Sequence, residues 1–205
     1  MSSTHMKTNR RAFLALSGAG AMALAFRPGA AFALDAGQAS AMIENAVTDV
    51  FAIINSGQPP AQIYRQLEGV FSRYADVDII ARSALGPAAR QVSTAQFAAY
   101  RQAFQGYISR KYGKRFREFI GSKIEVTGAR PLKSFYAVTS VAYLNGRGPM
   151  QVEWHVSDKS GRVLFFNLII EGVNMLATER AEISAMLARR KGDIAGLTAD
   201  LQQAG

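Results

Sequence analysis

Residues Arg162 to Ile183 read RVLFFNLIIEGVNMLATERAEI. The run from Val163 to Ile170 is almost unbroken in apolar residues, more than a strand with one wet face needs. Both faces of such a strand require cover. Glu171-Gly172 then breaks the run, and apolar residues return at helical spacing toward Leu187. A doubly apolar strand, a turn and a closing helix set the fold class. What covers the strand's second face, more helices or a hydrophobic ligand, bears on function.

Upstream of this stretch the hydrophobic period is two. Met150, Val152, Trp154 and Val156 alternate with Gln151, Glu153, His155 and Ser157. Asn145 to Pro149 (NGRGP) is a hairpin signal. Before it, Phe135 to Leu144 places Phe135, Ala137, Val141 and Tyr143 on one side and Tyr136, Val138, Ala142 and Leu144 on the other. Pro131 to Ser134 reads as a turn, and Ile124 to Val126 as a short first strand. Four strands joined by short turns predict an antiparallel meander.

Toward the N-terminus the period becomes helical. Met42, Ala46, Val50, Ile53 and Ile54 recur at three- and four-residue steps within 38–55, and Ile63, Leu67, Val70 and Phe71 within 61–74. Asp76 caps a third helix that Gly86-Pro87 stops. Ser93-Thr94 opens the longest helix, to about Ile120, with Phe97, Tyr100, Phe104, Tyr107, Ile108, Tyr112, Phe116 and Phe119 on one broad stripe. Closing helices are expected from about Leu176 to Leu187 and Ile194 to Leu201. The class is α+β: a twisted, four-stranded or slightly larger antiparallel meander packed with N- and C-terminal helices around an apolar pocket.

Residues 1–33 read as an export signal, and 34–205 as a single domain. Arg10-Arg11 precede an apolar run from Ala12 to Phe26, and Ala31-Phe32-Ala33 offers small residues for cleavage. Paired arginines followed by Phe13-Leu14 favour the twin-arginine route over an ordinary Sec signal. Met1 to His5 lies upstream of a second candidate start, Met6. Cleavage after Ala33 would leave 172 of the 205 residues, enough for one domain with a real core. The removed part holds four basic residues and no acid, so the formal charge falls from +9 to +5. That excess suits anionic surfaces but is too small to argue for nucleic acid. With no cysteine in the chain, disulfides, thiolate catalysis and cysteine-bound metals are excluded.

Catalytic chemistry has little to stand on. His155 is the one histidine beyond the signal and falls on the more polar strand face. Asp76 and Asp78 sit at a helix start, where capping explains them. There is no nucleophile elbow, phosphate-binding loop or dinucleotide fingerprint. No metal or cofactor is expected.

Three segments carry a resemblance. Tyr74-Ala75-Asp76 leads to Ile80-Ala81-Arg82-Ser83-Ala84-Leu85-Gly86; Gln96-Phe97 runs through Phe104 to Tyr112; Ile170-Glu171-Gly172-Val173-Asn174-Met175 runs to Arg180. In this order they resemble the MlaC family, also known as the toluene-tolerance family of periplasmic lipid-binding proteins. Asn174 stands where that family usually has serine, Glu179 where a tyrosine usually precedes the arginine, and Phe165-Phe166 where tryptophan-lysine commonly leads the strand.

The resemblance implies a passive carrier, not an enzyme. Such a protein buries phospholipid tails in a deep cavity and moves them through the periplasm. It shuttles between an inner-membrane ABC transporter with an MCE subunit and an outer-membrane lipoprotein–porin complex, maintaining outer-membrane lipid asymmetry. A hopanoid-associated branch makes an isoprenoid lipid the alternative cargo. The expected lipid-binding residues are Phe104, Ile108, Tyr112, Val141, Tyr143, Val152, Trp154 and Phe165. Arg82 and Arg180 match family positions and are expected to be structural. A small isomerase-like enzyme with an apolar pocket is the second alternative; it would need Glu171 or Asp78 at the pocket base beside a tyrosine. A purely structural module with a solid core is the third.

Overall fold

The computed structural model describes residues 34–205, so the export signal lies outside the described residues. Helices α1 (Ala36–Ile54), α2 (Pro60–Tyr74), α3 (Val77–Leu85) and α4 (Thr94–Phe116) come first. Strands β1 (Lys123–Leu132), β2 (Phe135–Tyr143), β3 (Met150–Ser157), β4 (Leu164–Ile170) and β5 (Val173–Asn174) follow. Helices α5 (Met175–Arg189) and α6 (Ile194–Gln203) close the chain. The sheet is antiparallel throughout, in the order β1-β2-β3-β4-β5. The class is α+β, with five strands.

The differences from the expected elements lie in turn chemistry. Pro131 and Leu132 belong to β1 and pair with Tyr136 and Phe135, leaving Lys133-Ser134 as the turn. Proline is tolerated there because β1 is an edge strand. Glu171-Gly172 closes a two-residue hairpin, since Ile170 pairs with Val173. Both turn residues have positive φ (48° and 77°), as a type I′ turn requires. The Glu171 carboxylate also accepts from Gln151 N.

Capping fixes where the helices begin. Asp35 and Gln38 form a capping box on α1, two residues earlier than the apolar period suggests. Asp76 caps α3 through Ile79 N, and Asn174 caps α5 through Ala177 N at 3.0 Å. Asparagine thus supplies the capping oxygen that serine would supply at position 174.

One face of the sheet carries the core. Val138, Ser140 and Ala142 of β2 lie across from Trp154, Val152 and Met150 of β3. Val138, Val156 and Phe165 join Ile43, Leu85, Tyr100, Phe104, Ile183 and Leu197 in the main cluster. Ser140 is the polar intruder, fully buried; the Trp154 indole donates to its Oγ at 2.9 Å. The opposite face holds Ala137, Thr139 and Val141 against His155, Glu153 and Gln151. His155 is not a free surface residue: Glu153 meets its Nε2 at 3.0 Å, and Phe135 packs 4.7 Å away between ring centres.

Three of the family-like positions, Gly86, Arg180 and Arg82, prove architectural. Gly86 adopts φ 65°, ψ −138°, and a Cβ there would meet Arg180 Nε of α5 at 3.3 Å. Arg82 stacks over Phe97 of α4 at 3.8 Å.

Candidate functional site

A second, smaller apolar cluster stands apart from the main core. It contains Ile54, Ile63 and Leu67, with Val50, Phe51 and Phe119 against them. Between the two clusters lies a cavity of about 520 Å³, walled by members of both. This is the size range of small-molecule sites. Helix α1 contributes Ala46, Val47, Val50 and Phe51, and α2 contributes Leu67, Val70 and Phe71. From α4 come Ile108, Ser109 and Tyr112; from the sheet come Val152, Trp154, Phe165, Leu168 and Ile170. The start of α5 closes it with Met175, Leu176 and Glu179.

Polar atoms in this wall are largely satisfied from within the protein. Ser109 Oγ bonds back to Gln105 O at 2.9 Å, and the Trp154 indole is held by Ser140. Asn167 Oδ1 accepts from Leu176 N at 3.1 Å, tying α5 to β4. Tyr112 donates to Glu179 Oε1, and Lys111 Nζ reaches the same oxygen at 2.7 Å. Lys111 also meets Glu182 at 2.6 Å, and Tyr107 donates to Glu182 at 2.7 Å. Among the buried ones Glu179 Oε2 is the exception, without a partner among the described residues.

This network is electrostatically tuned. Burial pushes the Tyr112 and Tyr107 phenols well up, and the carboxylates they bond add to it. Burial works against the Lys111 ammonium, but Glu179 and Glu182 outweigh it and hold it above its ordinary value. Burial would raise the Glu182 carboxyl, yet Lys111 and Tyr107 bring it below the usual carboxylate range.

Of the eight expected lining residues, Ile108, Tyr112, Val152, Trp154 and Phe165 are brought together around the cavity. Three are not. Phe104 is fully buried in the main core, its ring 5.8 Å from Tyr100 and 6.3 Å from Tyr107 between centres. Val141 and Tyr143 point to the sheet's other face, since Val141 pairs with Gln151 and Tyr143 with Lys123. Strand parity puts Val141 and Val152 on opposite faces once Val141 is set opposite Gln151. Glu171 and Asp78 are not at the cavity base either: Glu171 serves the β4–β5 turn, and Asp78 pairs with Arg101 at 2.6 Å. The acid beside a tyrosine is Glu179. Its position on α5, one step before an exposed arginine, gave no sign of burial.

Residues 44–203 match the family described as MlaC protein. The chain belongs to the MlaC family. Among solved structures it is similar to a phospholipid-binding protein from Ralstonia solanacearum determined in complex with a phospholipid. That likeness has a TM-score of 0.69 at 19% identity and covers 80% of this chain and 95% of the other. At that identity the match speaks for the fold alone. The three segments that carry the family resemblance fall on α3, α4 and the β4–β5–α5 corner. All three elements contribute to the cavity wall.

Proposed function

We propose that this chain is a periplasmic lipid carrier. It takes acyl chains into the cavity between α1, α2, α4 and the sheet and leaves the head group at the mouth. The observation that carries this reading is the apolar wall whose polar atoms are largely satisfied from within the protein. Such a wall offers a cargo mainly dispersion and hydrophobic contact. Each CH₂ withdrawn from water contributes about 0.8 kcal/mol, so a few buried methylenes hold a tail firmly. Membership in the MlaC family supports the reading, and so does the phospholipid bound to the Ralstonia solanacearum protein.

Ile108, Tyr112, Val152, Trp154 and Phe165 contact the tails in this proposal. Residues 1–33 direct export by the twin-arginine route, and 34–205 form the working domain. The carrier shuttles lipid between an inner-membrane ABC transporter with an MCE subunit and an outer-membrane lipoprotein–porin complex. The carrier reading needs no chemical step; Lys111 and Tyr112 hold Glu179 through Oε1 as part of the wall.

Native mass spectrometry of protein purified from its own periplasm tests this. Co-purified lipid at one or two molecules per chain is the expected result. Protein that is lipid-free and takes none up from vesicles would sink the proposal.

A further inference from the structure

The cavity wall is apolar along most of its length but carries, among the described residues, three exposed charged side chains. Arg115 comes from the last turn of α4, Glu118 from the 3₁₀ turn that follows, and Arg147 from the β2–β3 loop. Arg115 and Glu118 are three residues apart on consecutive turns, which puts them on one side. Two neighbouring cations are committed elsewhere. Lys111 is held by Glu179 and Glu182, and Lys114 donates to Gly205 O at 2.6 Å. Among the described residues Arg115 has no ionic or hydrogen-bond partner.

Arg147 does have one, and it is weak. Its Nη2 stands 3.3 Å from Glu118 Oε2, with 65% and 48% of the two side chains exposed. A tight guanidinium–carboxylate contact is near 2.7–2.9 Å, and exposed pairs contribute little. An incoming anion can displace Glu118 at small cost. Two guanidiniums and one carboxylate leave a local charge of about +1, which a singly charged phosphodiester neutralises. The planar guanidinium fork also matches two oxygens of one phosphate, which an ammonium does not.

We infer that Arg115 and Arg147 form the receptor for a phosphodiester head group, with Glu118 occupying Arg147 while the cavity is empty. This rests on the carrier reading and sharpens it: the cargo is an anionic phospholipid, and an uncharged isoprenoid alcohol is disfavoured. Tails are selected by volume in the apolar part, and charge is read at the rim. Glu118 raises selectivity, because an uncharged lipid gains nothing from displacing it.

The test uses the delipidated full domain and vesicles carrying phosphatidylglycerol and diacylglycerol with identical chains. Bound lipid is counted by native mass spectrometry and corrected for abundance. Wild type should favour phosphatidylglycerol by roughly ten-fold, and R115Q/R147Q should bring the ratio below about three. R130Q, on the sheet's other face, is the control and keeps the wild-type ratio. Inorganic phosphate in excess should leave the preference standing. If phosphate instead erases it and binds the delipidated protein through Arg115 and Arg147, the site is for a free anion and the head-group assignment falls. Equal uptake of both lipids by wild type overturns the inference, as does a preference that survives in R115Q/R147Q. Uptake of neither lipid overturns the carrier reading itself.

Discussion

The Tyr112 hydroxyl on α4 donates to Glu179 Oε1 on α5, and Lys111, the residue before it, reaches the same oxygen at 2.7 Å. Consecutive residues of one helix thus clasp a buried acid on another. Tyr112 and Glu179 both line the cavity, so the clasp also fixes part of its wall.

Removing the cation should be costly. The Glu179 side chain is only 4% exposed, so Lys111→Met leaves a buried carboxylate with Tyr112 as its remaining donor. A loss of about 2–3 kcal/mol is expected, read as a lower urea midpoint at unchanged m value. Lys111→Met combined with Glu179→Gln should recover part of it, because the carboxylate left without its cation, Glu182, is half exposed. A single variant as stable as wild type would mean the clasp contributes nothing net.

The tyrosines predict the alkaline limit. Burial, reinforced by Glu179 and for Tyr107 also by Glu182, raises Tyr100, Tyr107 and Tyr112 in the folded state. Below the unfolded value of about 10 their contribution is fully present. Above it the unfolded chain releases protons that the folded protein keeps, so stability falls as pH climbs. Phenolate absorbance should show these three ionising only as the protein unfolds, and Tyr100→Phe should flatten the decline. The acid side runs the other way: Glu182, lowered in the fold, contributes above its unfolded value and loses that contribution as pH falls.

Trp154 is the chain's one tryptophan, and it lines the cavity with Phe165 edge-on at 5.4 Å between ring centres. Its emission should shift to the blue when delipidated protein meets phospholipid vesicles. Ile108→Phe, which narrows the cavity, should reduce the amplitude at least several-fold. A wavelength that does not move on lipid uptake would place the tails elsewhere.

Face parity gives a paired test. Val152→Asp should abolish lipid retention, whereas Val141→Asp, on the opposite face, should leave it within about two-fold of wild type. Native mass spectrometry on the two proteins, checked for fold by circular dichroism, distinguishes them. Equal loss in both would refute the assignment of the sheet's faces.

Gly86 predicts a stability cost with a diagnosable cause. Its φ of 65° with ψ of −138° is backbone that side chains avoid, and Arg180 packs over it. Gly86→Ala should cost about 1–3 kcal/mol. Adding Arg180→Ala should relieve only the crowding, leaving most of the loss in a thermal melt.

Much of this protein was legible from local pattern. The period-two runs, the NGRGP loop and the Asp76 cap act within a few residues, and they specify the helices and the meander. Five lining residues were legible for a related reason: Val152 and Trp154 share a strand face, and Ile108 and Tyr112 a helix face. Local pattern could not say that β1 continues through Pro131, because an edge position is a property of the finished sheet.

The sequence by itself determined the α+β order, the apolar excess of the last long strand and the family. Tertiary structure decided what lies against that strand. Phe104 looked like Ile108 in sequence, yet one packs among Tyr100 and Tyr107 while the other faces open volume. Whether an apolar face meets a neighbour or a void depends on how far α1 and α2 stand from the sheet. That separation comes from many distant contacts at once and leaves no periodicity to read. Glu179 is the sharpest case: an acid amid a polar helical run, buried because Lys111 and Tyr112 arrive from 68 and 67 residues away.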